Sequence, residues 1–274
     1  MSKLSVGIVN FLNSRPLAWG FLRGCYADRF DAAFHPPAQV ADRLARGELD
    51  IGLIPAIEVQ RIPGLSVLPG LCVAATREVR SVLLVARCPV EEVREVSLDL
   101  NSRTSAALVQ IVLADRYGLR PRYRQALPEV EAMLRESDAA LVIGDPALQV
   151  DRGRFLVLDL AAEWRALSGH PAVFAVWAVR QGVDLPDLMS VFQASLDLGL
   201  AEIETLIGVY ARELTLPVDE VRRYLLEYLS YSLGDEELAG LAEYDRRAAL
   251  HGLIPAARPL ALWPAVETPV RAGA

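Results

Sequence analysis

Five polar residues, Asn101-Ser102-Arg103-Thr104-Ser105, stand between an apolar run ending at Leu98 and a helical pattern from Ser102 to Tyr117. The first turn of such a helix has four backbone N–H groups with no partner inside it. Three hydroxyls and the Arg103 guanidinium surround them, so the segment suits a carboxylate or a phosphate. A helix cap needs only one such residue. Five together predict an anion site.

Asn13-Ser14-Arg15 repeats the arrangement on a smaller scale ahead of Pro16. A turn before a Pro-started helix accounts for Asn13 equally well. Gly144-Asp145-Pro146 either brings a carboxylate to the same region or caps a helix at Asp145. Ile54-Pro55 closes another apolar run, and Ser81 opens one at Arg80-Ser81-Val82. No GxSxG surrounds Ser81, so an activated nucleophile is not expected there.

The remaining chemistry-bearing residues are sparse. His35, His170 and His251 are far apart, with no HExxH and no triad order. Cys25, Cys72 and Cys88 lack a CxxC spacing, which fits neither a disulfide framework nor a zinc site. The sequence has neither GxGxxG nor GxxxxGK[ST], the glycine-rich signatures of nucleotide binding. Of 28 basic residues, Lys3 is the one lysine, so lysine chemistry would rest on the first residues of the chain.

A net charge of −7 with no arginine-dominated window argues against nucleic acid. No uncharged apolar run reaches 18 residues, so no membrane span is expected. The opening MSKLSVGIVNF lacks the apolar stretch of a signal peptide, and the protein is expected in the cytoplasm.

These segments must be held by a repeating α/β pattern. Leu4 to Val9, Phe30 to Phe34 and Ile51 to Ile54 read as strands, separated by helices after Pro16 and Pro37. Val96 to Leu98, Tyr123 to Ala126 and Ala139 to Ile143 form a second such set around helices 102–117 and 128–136. Strand-like runs at 65–68, 71–75, 81–86, 155–158 and 173–179 fill the rest, and Pro186 onwards reads as nearly all helical. The prediction is a two-lobed α/β fold. One discontinuous lobe comprises 1–86 plus 181–274, the other 87–180, with a ligand cleft between them. Ligands of open α/β sheets sit outside the carboxyl ends of the strands, which is where each polar segment falls.

In this order the segments resemble the chorismate dehydratase family of the futalosine route to menaquinone. The resemblance is carried by Val6 to Leu17, Leu49 to Pro55, Leu98 to Ser105, Val142 to Asp145 and Phe174 to Ala178. Tyr228 to Tyr231 and Gly234 to Glu237 also match. It implies a type II periplasmic-binding-protein-like fold and a hydro-lyase that dehydrates chorismate to 3-[(1-carboxyvinyl)oxy]benzoate with no metal and no organic cofactor. It further implies that Asn13 and Ser81 contact the reacting part of the substrate. Ser102, Arg103, Thr104 and Ser105 would hold a carboxylate, with Gly144 and Asp145 bordering the pocket. Ser14, Arg15, Ile54, Pro55 and Asn101 complete the expected binding set. The elimination base is either a substrate carboxylate or Asp145. A sister enzyme releasing 1,4-dihydroxy-6-naphthoate and a non-enzymatic small-anion binder are the competing expectations. The oligomeric state is not legible.

Overall fold

The computed structural model describes residues 3–264. Leu4–Val9 forms β1, in which Val6 and Ile8 are fully buried. A 3-10 turn, Leu12–Ser14, leads into α1, Arg15–Leu22, with Pro16 in its first turn where a missing N–H costs nothing. Then come β2 (Phe30–His35), α2 (Pro37–Ala45), β3 (Ile51–Pro55), α3 (Glu58–Arg61) and β4 (Leu65–Ala75). The chain crosses over and builds β5 (Val82–Ala86), β6 (Glu95–Asp99), α4 (Arg103–Tyr117) and β7 (Arg122–Ala126). α5 (Val130–Glu136), β8 (Ala139–Ile143), α6 (Asp145–Leu148), β9 (Leu156–Asp159) and α7 (Leu160–Ser168) follow. It returns through β10 (Ala172–Arg180), α8 (Leu188–Ala201), α9 (Ile203–Glu213) and α10 (Val218–Arg223). A π-helical turn (Tyr224–Tyr228), β11 (Ser230–Leu233) and α11 (Asp235–Leu250) complete it.

Two sheets result, in the orders β11-β4-β10-β3-β1-β2 and β7-β6-β8-β5-β9. In each, three parallel strands are followed by one antiparallel strand contributed from across a crossover: β10 beside β3, and β5 beside β8. The two units are thus built to one plan, with their parallel strands ending at a shared cleft.

The pairing moves the expected lobe boundaries. β5 lies in the second sheet and β10 in the first, so the crossovers fall at 76–81 and 169–171 rather than at 86/87 and 180/181. Both strands are almost wholly buried runs of Val, Ala and Leu or Phe, and such a run carries no mark of the sheet it will join. Residues 265–274 of the expected first lobe lie outside the described residues. Two further differences concern the second half. Helix α7 follows β9 without a break, capped by Asp159, whose carboxylate accepts from Ala161 and Ala162 N–H. The region after Pro186, expected to be nearly all helical, also contains the strand β11, which pairs with the half of β4 from Gly70 onwards. The runs 65–68 and 71–75 are one strand, β4, interrupted by a bulge against β10.

One apolar cluster runs through both sheets, from Val6 and Leu53 in the first to Val96 and Leu141 in the second. A smaller cluster around Leu83, Val85 and Met133 covers the outer face of the second sheet. Helix α8 packs on α1 so closely that a Cβ on Gly199 would stand 2.3 Å from the Pro16 carbonyl oxygen. That contact fixes the start of α1 and the turn before it. Among the described residues no helix is long and apolar enough to cross a membrane.

Candidate active site

A cavity with about 510 Å³ of empty space, partly open to solvent, lies between the carboxyl ends of β1 and β3 on one side and β6 and β8 on the other. Its walls are apolar: Val9, Phe11, Leu53, Val82, Ile143 and Phe174. Its polar part is concentrated in two places, Asn13 and the run Asn101–Ser105.

The run Asn101–Ser105 enters the cavity as the sequence predicts. Ser102 stands at the N-cap of α4 but makes no side-chain capping bond. Its Oγ is buried and has no hydrogen-bond partner within the protein. Leaving a buried hydroxyl unpaired costs about 1–3 kcal/mol, and because Ser102 lines the cavity its hydroxyl is available to a bound group. The Asn101 N–H donates to Asp99 Oδ1 at 2.9 Å, which shapes the entry to the helix. Burial pushes the Asp99 carboxyl above its ordinary value.

Arg103 and Thr104 line the cavity while also tying the lobes together. The Arg103 guanidinium donates to Asp42 Oδ1 of α2 at 2.7 Å and to Glu58 Oε2 of α3 at 3.0 Å. Glu58 is almost wholly buried and also receives Arg61. Thr104 Oγ1 donates to the Phe174 carbonyl at 3.1 Å and accepts from the Ile57 N–H at 3.3 Å. The Tyr244 hydroxyl of α11 donates to the Thr104 carbonyl at 2.9 Å. Ser105 and Pro55 line the cavity without such commitments.

The Asn13 segment differs from its expectation as an anion site. Asn13 alone faces the cavity. Ser14 is fully buried, and its hydroxyl donates to the Val9 and Phe11 carbonyls, locking the turn. Arg15 is buried between the rings of Phe34 and Tyr210, at 4.5 and 5.1 Å, and donates to Asn10 Oδ1. Both serve the fold of the loop rather than the cavity wall. Ile54 is likewise fully buried in the core and outside the lining.

Gly144 lines the cavity with φ +65° and ψ −145°, a conformation in which a side chain is strained. A Cβ there would stand 2.7 Å from the Phe11 ring, so only glycine lets the two lobes meet at this point. Asp145 lies one residue behind, outside the lining. Its Oδ1 accepts the Leu12 N–H at 2.9 Å, bracing the turn that carries Asn13. Burial pushes its carboxyl up to about 6, opposed by that hydrogen bond and by Arg15. At neutral pH it is therefore mostly ionised.

Ser81 is also outside the lining and fully buried. Its hydroxyl is met by a residue that sequence reasoning missed. The Tyr224 hydroxyl donates to Ser81 Oγ at 2.7 Å. Tyr224 is completely buried, which holds its phenol far above its ordinary value. No motif surrounds it in the sequence; it lies four residues before the Tyr228–Tyr231 stretch and looks like one more apolar helix position. Asp42 and Glu58 were equally silent, since two acids on different helices give no spacing signal.

Among the described residues, then, the lining contains no Asp, Glu, His, Cys or Lys, and its one ionised side chain, Arg103, is already paired. The described residues also contain no His/Cys/Asp/Glu group suited to a metal ion.

A menaquinone-biosynthesis family profile matches residues 4–250. A chorismate dehydratase from Thermus thermophilus is 27% identical over 258 residues, covering 87% of this chain and 93% of the relative. Among solved structures, protein AF1704 of Archaeoglobus fulgidus superposes with a TM-score of 0.77 at 15% identity, over 92% of this chain and 98% of that one. The alkanesulfonate-binding protein SsuA of Xanthomonas axonopodis pv. citri, bound to MOPS, gives 0.71 at 16% identity, over 95% and 97%. These likenesses identify a periplasmic-binding-protein-like fold. Matched from its first strand to its last helix, the chain belongs to the menaquinone-biosynthesis family.

Proposed function

We propose that this chain is a hydro-lyase that dehydrates chorismate to 3-[(1-carboxyvinyl)oxy]benzoate. The observation that carries the reading is the cavity itself: an apolar slot lined by the N-cap hydroxyl of Ser102, the start of α4 and Asn13, with no carboxylate, histidine or lysine in its lining to act as a base. Chorismate is a compact cyclohexadiene ring that carries two carboxylates, a hydroxyl and an enol ether. Family membership and the T. thermophilus relative point to the same substrate.

The chemistry suits such a site. The ring carbon bearing the enol ether loses its proton. The electrons of that C–H bond form a ring double bond, and the neighbouring C–O bond breaks. The departing hydroxide takes up a proton and leaves as water. The product is aromatic, so the driving force is built into the substrate, and the protein has to orient the ring and assist two proton movements.

In this reading Ser102 and the first N–H groups of α4 hold the ring carboxylate. The enolpyruvyl carboxylate then stands beside the ring proton and removes it. Asn13 donates to the leaving hydroxyl. Asp145 braces the Leu12–Ser14 turn. The reaction needs no nucleic acid or membrane partner. Three free cysteines suit a reducing compartment, in keeping with a cytoplasmic enzyme.

The test is direct. Purified protein and chorismate, with no metal or nucleotide added, are followed by ultraviolet absorbance and product mass. A benzenoid spectrum and a product lighter by one water are expected. Bound but unchanged chorismate would favour a binding protein instead.

A further inference from the structure

The Thr104 carbonyl accepts a hydrogen bond that its helix does not require. In an α-helix it serves the N–H four residues on. Here the Tyr244 hydroxyl of α11 donates to it as well, at 2.9 Å and buried. Helix α11 follows β11 of the first sheet, so this bond runs from the first lobe into the second. The Tyr244 ring is buried and meets Trp164 of α7 edge-on at 6.1 Å. A phenylalanine would fill that space without a hydroxyl to satisfy. What the oxygen adds is its contact with the carbonyl.

A peptide unit passes such a bond on. Its C–N bond has partial double-bond character. A donor on the Thr104 oxygen therefore draws electrons from the Ser105 N–H, at the other end of the same unit, and makes it a stronger donor. Ser105 is buried, lines the cavity and lies in the first turn of α4, where N–H groups have no partner within the helix. The unpaired, buried Ser102 hydroxyl stands at the same helix start and on the same cavity. Thr104 Oγ1, between the Phe174 carbonyl and the Ile57 N–H, holds the residue ahead of that peptide in place.

We infer that Tyr244 is a positioning residue for the anion: its hydroxyl, reaching from α11 to the Thr104 carbonyl, fixes the peptide between Thr104 and Ser105 and strengthens the Ser105 N–H toward a carboxylate in the cavity. That the carboxylate belongs to chorismate rests on the dehydration reading above. The coupling through the peptide does not.

Thr104-Ser105 is the one Thr-Ser step in the sequence. Protein labelled with heavy carbon at the threonine carbonyls and heavy nitrogen at serine therefore gives a single carbonyl–amide correlation by NMR, which reads the Thr104 carbonyl and the Ser105 N–H together. In ligand-free Tyr244→Phe both the carbonyl carbon and the amide proton should move to lower frequency than in wild type. In wild type saturated with chorismate the amide proton should move to higher frequency, a measurement that needs no variant. An unmoved correlation in either case would overturn the inference.

Steady-state kinetics supply the second arm. In Tyr244→Phe, KM for chorismate should rise about threefold to tenfold with kcat within about twofold of wild type, the pattern of lost ground-state binding. Competition by 3-hydroxybenzamide, a ring of the same kind without the charge, should be equal in the two proteins; a general loosening of the site would weaken it too. A fall in kcat at unchanged KM, or a matching loss with the neutral competitor, would overturn the inference. A shifted correlation in Tyr244→Phe, with chorismate that neither binds nor reacts in wild type, would uphold the coupling and reject chorismate as the substrate.

Discussion

At the scale of single residues the site divides atoms that wait for a ligand from atoms that are already spent. Ser102 belongs to the first kind. Because its hydroxyl has no partner in the free chain, Ser102→Ala should leave the melting temperature unchanged or slightly raised. The same substitution removes a hydrogen bond to a carboxylate, so KM for chorismate should rise about 10- to 100-fold; steady-state kinetics beside calorimetry would separate the two effects. Asp145 belongs to the second kind. Asp145→Asn keeps an oxygen for the Leu12 N–H, so turnover should stay within about tenfold of wild type. A base whose carboxyl lies near 6 would instead make activity fall below that pH, as the carboxylate takes up its proton. A substrate carboxylate titrates lower, so the expected kcat profile is flat from pH 8 to about 5.5. Much of this was legible beforehand. Asn13, Asn101–Ser105, Pro55 and Gly144 reach the cavity because polar residues at the carboxyl end of a buried strand have few other places to go. Ser14 and Arg15 did not follow, because a turn before a Pro-started helix needs side chains of its own to satisfy its carbonyls and fill its underside.

At the scale of elements, the lobes are joined by side chains that magnitude arguments can rank. Arg103 is held by Asp42, whose side chain is 46% exposed, and by Glu58, whose side chain is 5% exposed. Water screens the first pair, so Asp42→Asn should cost under about 1 kcal/mol. Glu58→Gln leaves Arg103 and Arg61 facing a buried neutral group and should cost about 2 kcal/mol or more; chemical denaturation of both variants tests the order. A second element-scale device sits at the first crossover. Arg80 has φ +68°, unusual for a residue with a side chain. Asp159 holds it there, accepting from Val79 and Arg80 N–H at 2.7–3.1 Å while it caps α7. Asp159→Ala removes a cap and frees a strained peptide, so a loss of about 2–3 kcal/mol is expected by the same measurement. Neither device was visible in sequence. Each joins residues dozens of positions apart, and no periodicity records such a pairing. The strand β11 escaped for a related reason: four residues between two helices form a strand only because the far half of β4 offers an open edge.

At the scale of the whole molecule, the shared apolar cluster and the inter-lobe bonds describe lobes closed over a cavity. Two buried carboxyls, Asp145 pushed up to about 6 and Asp245 up to about 7, belong to this closed form. Each holds its proton more tightly folded than unfolded, so the folded chain binds extra protons between about pH 4 and 7. Their contribution to stability is fully present at the acidic end and is lost as pH rises through that window. Glu243, held down to about 2 by Arg246 and Arg247, works the other way, but only below about pH 4.5. The melting temperature should therefore fall from pH 5 to about pH 8, and Asp245→Asn should flatten that slope. The two-lobed plan was legible from the repeated strand–helix alternation, whereas the lobe boundaries were not, since β5 and β10 are buried on both faces and their sheet is decided by tertiary pairing alone. The measurement that bears most directly on the central claim compares wild type and Asp145→Asn with chorismate between about pH 5.5 and 8, reading product mass and initial rate. Dehydration without a side-chain base predicts that both proteins form a product lighter by one water, with flat profiles. Intact chorismate with the wild type, or loss of turnover confined to Asp145→Asn, would contradict it.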